Sequence, residues 1–379
     1  MTRASPGRGI GATTVPGVGR CGSRPLTADA SAVACTAYGG GMTGREGVAR
    51  GPSAAPTPPA PTAPALTTTV TVERPLDLRR TLAPLRHAGS DPAAHLSADG
   101  GWFALGTPLG AATLAIVRTV GGVTAHAWGP GAEWAIASVP DLIGQGDDDA
   151  GFDPSLHPVV ARLARRFDGL RLTRSNRVLD ALVPAVLEQE ITGAEALRAW
   201  RLLVLRYGSP APAPTGLTPA QRAAVPRLTV PPSAREWRAV PAWAFHEAGI
   251  AQRRWRTVVG AAEVAPRLER TLRLGRGGPE VTATLRSLPG IGVWTSALVT
   301  QTAHGDPDHP AYGDAHVSRA VCWALARELL PAADADARMA QLLEPWAGHR
   351  ERVVRLVLAT GVEAPRRGHR MAPPPHRSF

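Results

Sequence analysis

The chain has 379 residues, 44% of them apolar, three cysteines and a formal net charge of +11. That length can bury one or two substantial cores. Three scattered cysteines (Cys21, Cys35 and Cys322) exclude a disulfide framework, a four-cysteine metal site and a cysteine-ligated iron–sulfur cluster.

All 42 basic residues are arginine, since the chain has no lysine. This points first to GC-rich coding in a bacterial genome, but the charge also suits an anionic partner, most simply DNA. No run of eighteen apolar residues is present, and no apolar leader opens the chain. Neither a membrane span nor a secretory signal is therefore expected, and the expected location is cytoplasmic, at the nucleoid.

Residues 1–66 are rich in Gly, Pro, Ala, Ser and Thr and end in PSAAPTPPAPTAPAL. Such a segment cannot bury enough apolar surface to offset its ordering entropy, so it reads as a disordered tail. Met42 is an alternative start within it. Residues 67–146 have a different texture. TTTVTVE alternates β-branched and polar residues, and LDLRRTLAPLRH reads as a short amphipathic helix. WFALG, AATLAIVRTV and VTAHAWG read as strands, and GPGAEWAIASVPDLIG as one or two short helices. The expectation is a small α/β domain. GQGDDDAGFDP follows as an acidic linker.

Across residues 151–366 apolar residues recur three and four apart, with Pro and Gly at the joints, which predicts an all-α domain of two lobes. Residues 367–379 form a basic tail. The predicted class is α+β, mostly helical.

One stretch of the helical part carries chemistry: LRSLPGIGVWTSALVTQTAHGDPDHPAYGDAHVSRAV, residues 285–321. A helix turns through Leu288-Pro289-Gly290-Ile291-Gly292 and re-enters a helix at Val293. The two glycines allow a close backbone approach, and the amides that follow lie at a helix N-terminus, which favours an anion such as phosphate. About twenty residues on, Asp314 stands just ahead of an apolar helix. Its plain structural role is to cap that helix, and a cap can also be a functional carboxylate.

LPGIGVWTSA followed by GDAHVSRAV resembles the helix-hairpin-helix DNA glycosylase superfamily. LPGIG alone occurs in many non-enzymatic DNA-binding proteins, whereas the hairpin with a spaced Gly-Asp is far more specific. Trp294 and the closing ATGVEAPRRGHRMAP are similar to its alkylpurine branch, the DNA-3-methyladenine glycosylase II type. The resemblance runs from about Thr67 to the C-terminus. It implies a curved antiparallel sheet in the small domain and an enzyme of base excision repair.

It further implies that Asp314 is catalytic, stabilising the oxocarbenium-like sugar as the base departs. Trp294 would line the base pocket, since positively charged alkylated purines stack on electron-rich rings. Leu298 and Ala315 stand where relatives are more aromatic, and Tyr312 and Trp346 are the candidates to compensate. Gly290, Gly292 and Thr295 would hold phosphate beside the extruded nucleotide. Gln189, in LEQEITG, would approach the minor groove, and Arg366 and Arg367 would add salt-sensitive affinity.

The resemblance also implies a structural monovalent cation on the carbonyls of Arg286, Leu288 and Ile291, with no cofactor needed for the reaction. The expected partner is double-stranded DNA containing damaged bases, bound by a monomer. The rival expectations are a glycosylase that also nicks the strand as a lyase, and a non-catalytic hairpin protein.

Overall fold

A computed structural model describes residues 65–365 apart from Ala88. The tail of residues 1–64, Cys21, Cys35, Met42, Arg366 and Arg367 lie outside the described residues. The architecture is α+β: a five-stranded antiparallel sheet followed by a largely helical region.

Strands β1 (Leu66–Thr71), β2 (Ala94–Ser97), β3 (Gly100–Thr107), β4 (Gly110–Thr119) and β5 (Gly122–Trp128) are arranged in the order β1-β5-β4-β3-β2. Three tight hairpins join β2 through β5, and β1 closes the far edge by pairing Val70 with Val123. The three stretches read as strands are present, the alternating TTTVTVE supplies β1, and β2 joins them, which the short segment AHLS did not announce. The helices Leu78–Leu82 and Ala132–Ala137 cover one face and bury Leu78, Leu82 and Ala135 against Leu114, Ile116 and Val123. The opposite face is tied to the helical region. There Thr113 Oγ1 donates to the Pro212 carbonyl at 2.6 Å, and Trp128 Nε1 donates to the Thr215 carbonyl at 3.1 Å.

The helical region has two cores. Val178–Leu187 is apolar at nearly every position and is buried all round, as a central helix must be. It is surrounded by Trp200, Trp237, Phe245, Val258 and Leu285. The second core gathers Val160, Leu163, Val321, Leu325, Met339 and Val354. The two cores divide the helical region into two lobes.

Two features depart from the expectation. A two-residue ladder, β6 (Ser209–Pro210) with β7 (Thr229–Val230), interrupts the helices, and Thr229 N donates to the Pro92 carbonyl at 2.8 Å. The acidic linker is also no free tether. Asp147 is 4% exposed and takes both arms of Arg352, itself 5% exposed, at 2.8 Å each. It also accepts from Leu172 N at 2.9 Å. A charge buried that deeply persists because it is paired and hydrogen-bonded. The linker thus clasps the sheet domain to the Arg350–Leu358 helix of the second lobe.

Candidate active site between the hairpin and the Asp314 helix

The hairpin comprises Pro279–Arg286, a turn, and Val293–Val299. Leu285 and Ile291 are its buried anchors, while Gly290, Gly292 and Val293 face outward. Buried apolar residues before and inside the turn pin it to the first core, leaving its backbone at the surface. Gly290 has φ +87°, where an L side chain is strained. A Cβ there would also come within 2.2 Å of Thr257 Oγ1. That hydroxyl is fixed by donation to Arg253 O at 3.1 Å and Pro289 O at 3.2 Å.

Gly292 has φ −96°, and a Cβ there would meet nothing within 4 Å. The two glycines therefore answer different questions. Gly290→Ala is expected to destabilise the fold by about 1–3 kcal/mol, read as a lowered melting temperature. Gly292→Ala should melt like the wild type. If Gly292 meets phosphate, the same variant weakens binding to all duplex DNA alike. A loss confined to one lesion would contradict that.

Past Val299 the helix widens into a π turn over Thr300–His304. Two of its carbonyls are used elsewhere: Ser175 N donates to Thr302 O at 2.9 Å, and Asn176 N to Ala303 O at 3.1 Å. Burial lowers the His304 imidazole to about 4, helped by the Arg174 charge, so this ring is neutral at physiological pH. Its Nε2 lies 3.0 Å from Thr271 Oγ1.

Asp314 caps the Ala315–Ala326 helix: its Oδ1 accepts from His316 N at 2.9 Å and Val317 N at 3.1 Å. Its Oδ2 accepts from Trp294 Nε1 at 3.2 Å. The hairpin packs in the first core through Ile291 and Val299, while the Asp314 helix packs in the second through Val321 and Cys322. The Trp294–Asp314 bond therefore bridges the two lobes. Three donors hold one carboxylate in a single orientation, and Oδ2 keeps a lone pair for a reacting partner.

Gln189 was expected to contact DNA, yet its amide lies against the hairpin. Nε2 donates to Gly290 O at 3.0 Å and to Thr295 Oγ1 at 2.8 Å. Thr295 is itself 2% exposed, backbone and side chain together, so the surface of the turn is formed by Gly290, Gly292 and Val293 instead. The carbonyls of Arg286, Leu288 and Ile291 lie along the turn, and Leu288 O accepts from Ile291 N at 3.1 Å. A carbonyl oxygen has two lone pairs, so that bond leaves one free on Leu288. Among the described residues no three His, Cys, Asp or Glu side chains converge on a metal-sized site.

A cavity of about 260 Å³ opens between the sheet domain and the first helical lobe. Of the four base-pocket candidates it is lined by Leu298, one helical turn beyond Trp294. Trp294 and Ala315 stand instead beside the Asp314 carboxylate and at the start of its helix. Tyr312 packs against the second core, and burial raises its hydroxyl. Trp346 does not compensate for the missing aromatics. It is 4% exposed, within that core, and its Nε1 donates to the Asp153 carbonyl at 2.8 Å.

The cavity also presents residues that sequence reasoning passed over, Glu188, Gln301, Arg177, Asp180 and Arg355. Glu188 directly precedes Gln189 in a motif already singled out, and nothing local distinguishes it. Arg177 and Asp180 pair at 3.2 Å. Burial lowers Arg355, and Glu351 opposes that shift. A wider groove of about 770 Å³ lies on the other side of Arg177 and Asp180 and contains none of the sequence-predicted residues.

No family model matches the chain, and no curated protein matches its sequence. Solved structures do. A 3-methyladenine DNA glycosylase from Archaeoglobus fulgidus superposes with a TM-score of 0.62 at 16% identity, covering 78% of this chain and 98% of that one. A Clostridium acetobutylicum 8-oxoguanine glycosylase/lyase, solved with double-stranded DNA containing cytosine opposite 8-oxoguanine, gives a TM-score of 0.53 at 9% identity, covering 78% and 98%. The fold is thus that of solved helix-hairpin-helix DNA glycosylases.

Proposed function

We propose that this protein is a monofunctional DNA glycosylase of base excision repair. In this reading it extrudes alkylated purines of the 3-methyladenine type and hydrolyses their N-glycosidic bond. The observation that carries the reading is the Asp314 carboxylate, held by two helix amides and by the indole of a hairpin tryptophan. A helix cap needs the first two bonds but not the third. A protein that only gripped DNA would gain nothing from an oriented anion beside a phosphate-binding turn.

The residues divide the work as follows. The amides after Gly290 and Gly292 hold the backbone phosphate, and Gln189 stiffens that turn from behind. Extruding the base costs a few kcal/mol, least where it is damaged or mispaired. As the bond to C1′ breaks, Asp314 opposes the positive charge on the sugar and orients the attacking water. A purine alkylated at N3 or N7 is already cationic and departs with the bonding electron pair as a neutral base. No cofactor enters this reaction. A monovalent ion on the Arg286, Leu288 and Ile291 carbonyls would only stiffen the turn.

The proposed partner is duplex DNA carrying damaged bases, met by a monomer, and the net charge of +11 favours that encounter. Arg366 and Arg367 would add to it, and the proposed location is cytoplasmic, at the nucleoid. No helix among the described residues is long and apolar enough to cross a membrane.

Mass analysis of bases released from methylated duplex DNA tests the reading. Free 3-methyladenine or 7-methylguanine is expected, with an abasic strand left behind. Binding without any released base would favour the non-catalytic alternative.

A further inference from the structure

We propose that Glu188 is a general acid that protonates the departing base, so that the same site also excises uncharged purines. This rests on the glycosylase reading above. Glu188 caps the C-terminal end of the Val178–Leu187 helix, and its side chain lines the 260 Å³ cavity together with Leu298 and Gln301. Among the described residues its carboxyl forms no hydrogen bond and no ion pair. Burial pushes that carboxyl up to about 7, and the nearby Asp314 charge adds to the shift. An unpaired acid, half protonated near neutrality and within electrostatic reach of the sugar-stabilising carboxylate, is poised to give up a proton.

Most of the other charges around it have partners of their own. Arg254 donates to the Leu187 carbonyl at 3.0 Å, and Arg253 pairs with Glu190 on the solvent side. Arg177 pairs with Asp180, while Glu269 accepts from Val178 N and Leu179 N at the far end of the helix. Asp91, also at the cavity wall, is engaged by Trp200 Nε1 at 2.9 Å, and burial keeps the adjacent His87 low. Arg355 reaches the cavity beside Glu351.

The chemistry balances without a co-reactant other than water. For an uncharged purine the C1′–N9 bond breaks heterolytically, and its electron pair goes to the base. The Glu188 proton passes to a ring nitrogen, so the base leaves neutral. Water adds to C1′, and its proton returns to the Glu188 carboxylate directly or through solvent. A cationic alkylpurine needs none of this, because its own charge accepts the electron pair. Two carboxyls thereby divide the roles: Asp314 opposes the charge on the sugar, and Glu188 supplies the proton to the base.

The test compares Glu188→Gln with the wild-type full chain under single-turnover conditions on two duplexes, one holding 7-methylguanine and one hypoxanthine. The amide is isosteric with the protonated acid, so the melting temperature should not move. Release of hypoxanthine is expected to fall by about 100-fold, the lower end of general-acid contributions. Release of 7-methylguanine should stay at the wild-type rate. The wild-type rate on hypoxanthine should decline as pH rises through about 7, where Glu188 loses its proton. That limb should be absent from Glu188→Gln and restored by Glu188→Asp. Equal losses on both duplexes, no loss on hypoxanthine, or a wild type that releases only 7-methylguanine would each overturn the assignment while leaving the glycosylase reading intact. Release of neither base would overturn the parent reading instead.

Discussion

Asp314→Asn is expected to lower base excision by at least about 100-fold, the size of losing one preorganised electrostatic contact at a developing charge. The substitution preserves shape. Its amide oxygen can still accept from His316 N and Val317 N, the two bonds that cap the helix. What it removes is the negative charge that the proposed reaction sets against the sugar. It also places an NH₂ group 3.2 Å from Trp294 Nε1, so a donor meets a donor and the bridge between the lobes is lost. Folding should persist, because both lobes keep their cores, and affinity for abasic DNA should stay close to the wild type. Single-turnover release of 7-methylguanine measures the first effect, and binding to an abasic duplex measures the second. Near-normal release would remove Asp314 from the chemistry.

Strand cleavage should be absent altogether, not merely slowed. A lyase attacks C1′ with an amine, forming a Schiff base that leads to β-elimination. The residue directly before the hairpin threonine, Thr295, is Trp294. Its indole donates to Asp314 and cannot act as a nucleophile. The chain has no lysine to substitute from elsewhere, and arginine stays protonated. The α-amino group is the one aliphatic amine left in this sequence. Damaged duplex DNA should therefore keep its phosphodiester intact until alkali is added, and borohydride should trap no covalent adduct. A trapped adduct mapped to any residue other than the α-amine would reverse this conclusion and restore the lyase reading.

Arrangements that depend on spacing within one element were legible in the sequence. Alternation in AATLAIVRTV and VTAHAWG marked β4 and β5, and apolar residues recurring three and four apart marked the helices beyond residue 151. The hairpin turn and Asp314 as a cap were also readable, because glycine placement and capping are decided by a few adjacent residues.

Tertiary structure decided which distant side chains meet. Arg352 closes on Asp147 across 205 positions, turning an acidic linker into a clasp. Gln189 reaches Thr295 across 106 positions and so supports the hairpin with the very amide that had been expected on DNA. Trp346 was removed from the pocket by a carbonyl 193 positions away. Glu188 shows the limit most plainly. Its neighbours in sequence give it no distinction, and its protonation depends on burial and on Asp314, both supplied by chain far from it. Local periodicity follows from the geometry of one helix or strand. A carboxyl's proton affinity follows from everything within a few ångströms of it, and in this chain those atoms come from different lobes.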